Sequence, residues 1–189
     1  MPRQDSRLKT RRPLILTARV ADKHLEPFDC LRRAHFPPDR NFLRAHLTMF
    51  HRLPGEYEAR IASRLISAAQ RTHAMTAEVG GVRHLGAGVA YVIVSPALHE
   101  IRAMLKLEFV SWLGPQDMRK WQPHITVQNK SSKAKANDLF RTLSQGFQPH
   151  PINITGLDLW EYLGGPWQHL IYTAFDGTAL ERLETTMKR

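Results

Sequence analysis

The fold is decided by a pattern that occurs twice, as HLTM at residues 46–49 and as HITV at residues 124–127. In each copy a histidine and a threonine alternate with apolar residues. Because successive side chains in a strand point to opposite faces, each copy predicts a strand with one apolar face and one face that carries an imidazole and a hydroxyl. The chain therefore holds two matched polar strand faces.

The elements that follow each tetrapeptide come in the same order. After the first, hydrophobic periodicity and turn residues predict a helix over 57–72 and a β-hairpin over 77–94. After the second, they predict a helix over 133–147 and a hairpin over 152–175. This repeat predicts an α+β fold with two lobes of antiparallel β-sheet, related by an approximate twofold axis, with flanking helices and a central cleft.

The other predicted elements contain a tetrapeptide, precede one or close the chain. They are strands over 14–20, 42–50 and 122–128, helices over 22–35 and 96–113, and a short helix from Thr178. Residues 1–12 are rich in arginine and lysine without an apolar pattern, so we expect a flexible basic arm. We expect residues 13–189 to form a single bilobal domain.

Composition bounds the partners of the protein. Of 189 residues, 27 are Lys or Arg and 17 are Asp or Glu, which gives a net charge of +10. Such a surplus attracts polyanions, so RNA or a nucleotide is the expected partner; a basic tail with a solvated face is the alternative. The chain has no apolar run of the roughly 18 residues that a membrane span needs, so no membrane partner is expected. We expect a monomer.

Cysteine and histidine patterns argue against a disulfide framework and a metal centre. Cys30 is the single cysteine, which indicates a reducing compartment, the cytoplasm. The ten histidines include no His-Glu-Xaa-Xaa-His motif, and the glycines form no phosphate-binding loop. We therefore expect neither a metal nor a cofactor, and an ATP-driven ligase is unsupported.

Two imidazoles and two hydroxyls around one small anion suit phosphodiester chemistry. Histidine titrates near neutral pH, so one ring can accept a proton from the nucleophile while the other donates one to the leaving oxygen. We predict that His46 and His124 form this catalytic pair, with no assignment of acid and base. Thr48 and Thr126 are predicted to bind the phosphate oxygens. The alternative is that both histidines are structural.

The two tetrapeptides, the length of chain between them and the bilobal order of elements resemble the two-histidine phosphoesterase superfamily, and within it the 2′-5′ RNA ligase-like proteins. The dipeptide Leu53-Pro54, a few residues after the first tetrapeptide, also resembles the sequences of this family. The resemblance implies cleavage of 2′,3′-cyclic phosphates or 2′-5′ phosphodiesters in RNA or nucleotides, without a metal. In some members the reverse reaction joins RNA ends through a 2′-5′ bond.

The chain departs from the family at one point. Several relatives have an arginine shortly after the second tetrapeptide, whereas here the first cation is Lys130, a point charge rather than a two-pronged donor. We take Lys130 and Arg44 as candidate phosphate ligands; the alternatives are a solvated loop lysine and a rim arginine paired with a carboxylate. Tyr91 and Trp121 are candidates for stacking on a nucleobase, or else core residues.

Two rival functions remain open on the sequence. The first is a non-catalytic module that binds RNA or a nucleotide on the same fold. The second keeps the chemistry but changes the substrate to a small metabolite such as an ADP-ribose cyclic phosphate. Two retained pairs of His and Thr favour an enzyme, because binding alone does not require two proton-transfer groups.

Overall fold

The computed structural model describes residues 11–177. Most of the predicted basic arm over 1–12 and the predicted helix from Thr178 therefore lie outside the described residues. Arg11 and Arg12 lie against Gly55, where an added Cβ would meet the carbonyl oxygen of Arg12. The described residues share one hydrophobic core, and the boundary of the domain at residue 13 stays a prediction.

Seven strands and five helices form the described part of the chain. The strands are β1 (Leu14–Val20), β2 (Leu47–Leu53), β3 (Met75–His84), β4 (Val89–Val94), β5 (His124–Gln128), β6 (His150–Tyr162) and β7 (Trp167–Ala174). The helices are α1 (Asp22–His35), α2 (Glu58–Gln70), α3 (Pro96–Phe109), α4 (Pro115–Met118) and α5 (Lys133–Ser144). The predicted α+β fold with antiparallel sheets is confirmed.

Strand β2 begins at Leu47, later than the predicted start at residue 42. The reason is that α1 occupies backbone groups that a ladder would otherwise use. Asp29 accepts a hydrogen bond from the backbone N–H of Ala45, and Arg32 donates one to the carbonyl of Leu43. His46 thus lies immediately before the strand and not within it.

The strands form two antiparallel sheets that share β6. One sheet runs β7-β6-β1-β2 and the other runs β6-β3-β4-β5. One edge of β6 pairs with β1 from Ile154 to Glu161, while the other edge pairs first with β3 and then with β7. Strands β2 and β5 join at the pair Leu47–Ile125, which closes six of the described strands into a ring.

The two repeats exchange parts. Strand β2 and helix α2 of the first repeat lie with the β6–β7 hairpin of the second, whereas β5 and α5 lie with the β3–β4 hairpin of the first. The helices before each tetrapeptide cross over in the same way. Helix α1 packs against β5, and α3 packs near β2, where Phe109 meets the ring of Phe50 edge-on at 5.7 Å. Each lobe therefore contains residues from both repeats.

The apolar faces of the strands and helices supply one continuous core. In α2, Ile61, Leu65 and Ala68 recur at helical spacing and are buried. On the sheet beneath, Leu16 and Leu47 are fully enclosed. Burying an aliphatic side chain of this size stabilises a fold by about 1.5–3 kcal/mol, so this packing fixes the strands that carry the motif histidines.

Side chains cap the edge of β2 beyond Leu47 and keep β5 away from it. The indole of Trp121 donates to the carbonyl of Thr48 at 3.0 Å, and Arg102 donates to the carbonyl of Met49 at 2.8 Å. The carboxylate of Asp117 accepts hydrogen bonds from the backbone N–H groups of His51 and Arg52. Because these groups are satisfied by side chains, β2 and β5 diverge.

None of the helices within residues 11–177 combines the length and the apolar character that crossing a bilayer requires.

Candidate active site

The register of β2 and β5 sets the four motif side chains on one face. Leu47 lies opposite Ile125, and both are fully buried. In an antiparallel pair this register sets His46 across from Thr126 and Thr48 across from His124, on the opposite face from the buried pair. Directly opposed Cβ atoms are about 5 Å apart in such pairs and diagonal ones about 7–8 Å. The two imidazoles thus stand on one diagonal of this face, near enough for the charge of His124 to lower the pKa of His46.

Both rings are held in the same way. The Nδ1 atom of His46 lies 2.8 Å from the carbonyl oxygen of Arg44, and Nδ1 of His124 lies 2.8 Å from the carbonyl oxygen of Gln122. A carbonyl oxygen only accepts, so Nδ1 carries the hydrogen in both rings. Nε2 of each ring is then the atom available for proton transfer.

Burial depresses the pKa of both rings. It lowers the pKa of His46 to about 4, with smaller contributions from the charges of Arg32 and His124, while the hydrogen bond to the Arg44 carbonyl works against the shift. Burial also lowers the pKa of His124, helped by the charge of Arg83. Without a ligand His46 is therefore neutral at neutral pH. A bound phosphate would favour the protonated forms.

Helix α1 ties the two motif strands together through two buried charged residues. Asp29 accepts from the backbone N–H of Ala45 at 2.7 Å, which fixes the residue before His46. Arg32 donates to the carbonyls of Leu43 and Thr126, each at 3.0 Å. The sequence reasoning missed both residues. The available signal was their position beside Phe28 on the face of α1 that is buried.

Arg44 lies close to His46, but its guanidinium forms ion pairs with carboxylates of α1 and is not directed at the motif residues. Nε donates to Asp29 at 2.7 Å, and the terminal nitrogens lie 3.5 Å from Asp22 and Glu26. This is the rim arginine of the alternative interpretation. Its contribution to the site is the backbone carbonyl that orients His46.

A cation that the sequence reasoning missed shares the face of the second motif. On adjacent strands Arg83 lies opposite Ala90, and Ala90 lies opposite Thr126. The alanine between them is small, so the guanidinium can extend toward the motif residues, and its charge lowers the pKa of His124. Among residues 11–177 the Arg83 side chain has no hydrogen-bond or ion-pair partner. No sequence pattern marks this position, because the register alone aligns the three residues.

The two aromatic residues singled out as base-stacking candidates lie elsewhere. Tyr91 is 8% exposed and packs edge-on against Phe28 at 5.1 Å, on the face opposite the motif histidines. Trp121 packs against His99 and donates its N–H to the carbonyl of Thr48. We therefore assign Tyr91 to the core and Trp121 to the support of β2.

A different aromatic residue faces the site. The ring of Trp167, at the start of β7, lies 4.6 Å from the ring of His46. The two rings border a cavity of about 280 Å³, the aromatic cleft, whose wall also includes Phe42, Trp160, Arg19 and Asp158. Two of these side chains hold each other in place, because buried Asp158 accepts two hydrogen bonds from Arg19, at 2.8 and 2.6 Å.

A second cavity borders His46 on another side. This cationic cleft, of about 390 Å³, is lined by Arg32, Arg40 and Lys130 together with Asn129, Thr126 and His46. The structure thus brings Lys130 to the same cavity as two motif residues. No carboxylate is among the described residues that line it.

Metal-ligating side chains do not gather in the part of the chain that the structure describes. Across residues 11–177, no three His, Cys, Asp or Glu side chains come together as a set that could hold a metal ion.

Comparison with known proteins gives a family match and a set of similar folds. The sequence matches the family described as the 2′-5′ RNA ligase superfamily over residues 20–166. No curated protein sequence matches.

Solved structures share the fold at low identity. TT0787 of Thermus thermophilus is 14% identical with a TM-score of 0.63, and the alignment covers 87% of this chain and 98% of that one. E. coli LigT is similar in complex with 3′-AMP (19% identity, TM-score 0.56) and with NADP+ (17%, 0.55), each over 86% of this chain and 97% of that one. The family match spans most of the chain, including both motif tetrapeptides, and the fold is shared. The chain belongs to the 2′-5′ RNA ligase superfamily, a group of two-histidine phosphoesterases.

Proposed function

We propose that the protein is a metal-independent phosphodiesterase that acts on 2′,3′-cyclic phosphates or 2′-5′ phosphodiester bonds of RNA or nucleotides. One observation carries the proposal. The imidazoles of His46 and His124 share one strand face with two threonines, and both hold Nδ1–H against a carbonyl so that Nε2 is left for proton transfer. The same contact occurs at His150, whose Nδ1 lies 3.0 Å from the carbonyl oxygen of Gln148, so the shared face of the two motif histidines and threonines is what points to catalysis.

The pKa values favour a division of roles. His46, whose pKa is lowered to about 4, is neutral and accepts the proton of the attacking water at Nε2. The water oxygen forms the new bond to phosphorus as the bond to the leaving oxygen breaks. Protonated His124 donates the proton that the leaving oxygen needs. The pair is restored when a proton moves from His46 to His124 through solvent. With a 5′-hydroxyl in place of water, the hydroxyl oxygen would bond to the phosphorus of a 2′,3′-cyclic phosphate as the bond to the 3′-oxygen breaks; His46 would take the hydroxyl proton, His124 would protonate the 3′-oxygen, and a 2′-5′ bond would result.

In this proposal, hydroxyl and guanidinium groups stabilise the negative charge on the phosphate. Thr48 and Thr126 lie one on each motif strand and donate to the non-bridging oxygens, where negative charge grows in the transition state. Arg83, on the same face, adds a positive charge and takes the place of the arginine that several relatives carry after the second tetrapeptide. Arg44 is not part of this group, because its charge is engaged by carboxylates.

The aromatic cleft suits the nucleoside part of the substrate. Trp167 stands beside His46, so a base stacked on the indole would hold its ribose phosphate near the motif face. Structures of E. coli LigT, which shares the fold, are described as complexes with 3′-AMP, ATP and NADP+. These ligands are all nucleotides, which supports a nucleotide or an RNA end as substrate here.

The proposal is tested by turnover of 2′,3′-cyclic AMP and of a 2′-5′-linked diadenylate in excess EDTA. Each of the variants His46→Ala and His124→Ala should lose roughly 10²- to 10⁴-fold in kcat, the contribution of one positioned acid or base. His35→Ala removes an exposed histidine at the end of α1 and serves as the control that keeps full activity.

The outcome of this assay distinguishes an enzyme from a non-catalytic binding module. Wild-type protein that binds nucleotides and turns over neither substrate would be a binding module, and the proposal would be wrong. Activity that EDTA abolishes and added metal restores would also contradict it, because the proposed steps use protein side chains alone.

A further inference from the structure

The cationic cleft contains a buried charge that no carboxylate binds. Arg32 is 4% exposed, and its hydrogen bonds go to the side-chain oxygen of Asn41 at 2.9 Å and to the carbonyls of Leu43 and Thr126. All three acceptors are neutral. Burial lowers the pKa of Arg32 to about 10, so the guanidinium is still charged at neutral pH. A buried charge without a bonded counter-ion is costly, which makes an anionic ligand favourable here.

The nearest acidic residue on α1 is already engaged. Asp29 attracts Arg32 only at a distance, while its oxygens accept hydrogen bonds from Arg44 at 2.7 Å, Arg33 at 3.1 Å and the backbone of Ala45 at 2.7 Å. The carboxylate is therefore matched by two other arginines. Arg32 is left as the surplus charge of this cluster.

Two further cations complete the cleft. Lys130 has a φ of 56°, a left-handed conformation that is uncommon outside glycine, and its backbone N–H donates to the side chain of Asn129 at 2.7 Å. Such backbone conformations persist where the surroundings hold them and cluster at functional sites. Arg40 is exposed, and its nearest carboxylate, that of Asp39, lies 3.5 Å away on the surface.

We propose that the cationic cleft is a second anion site, which binds a phosphate group of the substrate other than the one that reacts. Arginine and lysine donors from α1, from the turn after it and from the loop after β5 converge there, and arginine matches phosphate oxygens in a two-pronged manner. This inference depends on the proposed function in one respect: the proposed function identifies which phosphate of the substrate reacts between His46 and His124.

The position of the cleft specifies the substrate class. His46 and Thr126 line it together with the three cations, so a second phosphate would lie on one side of His46 while the aromatic cleft lies on the other. A nucleotide with two phosphates, or an RNA end, reaches both sites at once. A nucleoside monophosphate leaves the cationic cleft without its anion.

The test compares two ligands that differ by one phosphate. Calorimetry at fixed ionic strength measures the Kd of 3′-AMP and of adenosine 3′,5′-bisphosphate for wild-type protein. We expect the bisphosphate to bind at least about tenfold more tightly, since hydrogen bonds to a charged group are stronger than those between neutral groups. In the double variant Arg40→Gln with Lys130→Gln this preference should fall to about twofold or less, with the Kd of 3′-AMP unchanged.

Two controls make the result specific. Arg71→Gln removes one positive charge from an exposed position at the end of α2 and should keep the preference. Arg32→Lys retains the buried charge but loses donors, and should reduce the preference while a thermal melt shows that the protein is folded.

Three results would overturn the inference: equal affinity of wild-type protein for both ligands, a preference that survives in the double variant, or an equal loss for both ligands. Turnover of 2′,3′-cyclic AMP is measured in parallel. A protein that keeps the bisphosphate preference but turns over no cyclic phosphate contradicts the proposed function and not the anion site.

Discussion

Asp29 on α1 accepts a 2.7 Å hydrogen bond from the backbone N–H of Ala45, the residue that precedes His46. The same carboxylate holds the guanidinium of Arg44, whose carbonyl orients the His46 ring. A single buried side chain therefore fixes the backbone just before one proposed catalytic histidine and, through Arg44, the orientation of its ring.

Replacement of Asp29 should disturb both stability and catalysis. In Asp29→Ala the buried N–H of Ala45 loses its acceptor, which costs about 1–3 kcal/mol, while Arg33 and Arg44 are half exposed, so the loss of their ion pairs adds little. Urea denaturation should show this loss. Among molecules that remain folded, kcat on a cyclic nucleotide should fall more than KM rises, because His46 loses its alignment.

Asp138→Ala is the matched control. Asp138 is on α5, is 71% exposed, and its ion pair with Arg141 contributes little because solvent screens it. Equal destabilisation by the two substitutions would show that Asp29 has no special structural role.

The loop that carries Lys130 depends on a glycine in the opposing hairpin. A Cβ added at Gly88 would collide with the carbonyl oxygen of Gln128 and the Cα of Asn129, and the neighbouring Ala87 carbonyl accepts the N–H of Ser131. Gly88→Ala should therefore displace the loop, at a cost of about 1–3 kcal/mol typical of overpacking. Chemical denaturation measures the cost, and calorimetry should show weaker binding of adenosine 3′,5′-bisphosphate.

The control for this prediction is Gly81→Ala in β3, where an added Cβ would meet nothing within 4 Å. If both alanine variants retain wild-type stability and bisphosphate affinity, the close approach at Gly88 does not hold the loop.

The pH dependence of kcat/KM should have its maximum on the acid side of neutrality. The proposed mechanism requires neutral His46, whose pKa is about 4, and protonated His124, whose pKa lies below its ordinary value of 6.5. Activity should rise as pH increases past about 4 and then fall above the pKa of His124, reaching a tenfold loss per pH unit. A plateau of kcat/KM that extends from pH 7 to pH 9 would contradict these assignments.

The same shifts predict that stability decreases in acid. The folded state binds its proton on His46 less readily than the unfolded chain, so stability is full above pH 6.5 and is lost as pH falls toward 4. The loss attributable to His46 is at most about 3 kcal/mol, from 1.36 kcal/mol per pKa unit. Denaturation curves of His46→Gln should show a smaller decrease over this range, and a curve parallel to that of wild type would exclude the effect.

Local patterns in the sequence predicted much of the fold. Alternation around His124 predicted β5, and helical spacing of Ile61 and Leu65 predicted α2, because each pattern records which face an element buries. The repeated order of elements predicted the α+β architecture. It did not predict the exchange of hairpins between repeats, since adjacency in the chain does not determine which sheet a strand joins.

The proposed site was predictable only where a motif marks it. His46, Thr48, His124 and Thr126 are recognisable as a repeated tetrapeptide. Arg32 and Arg83 are not, because one acts through hydrogen bonds to carbonyls of distant strands and the other through strand register. Contacts of this kind follow from tertiary packing.

Arg44 illustrates the opposite error. Its position two residues before His46 made it a candidate phosphate ligand, with a rim arginine paired to a carboxylate as the alternative, and in the structure three carboxylates on α1 take up its charge. Those carboxylates belong to another element, so the local sequence around Arg44 carries no trace of them.

The exchange of hairpins has a consequence for how the chain can be divided. A cut in the connection between β4 and α3 would leave β2 in one fragment and the β6–β7 hairpin of its sheet in the other. Neither piece could complete a sheet alone. Two such fragments would regain the cleft only by reassociating, which makes the chain a natural scaffold for split-protein complementation.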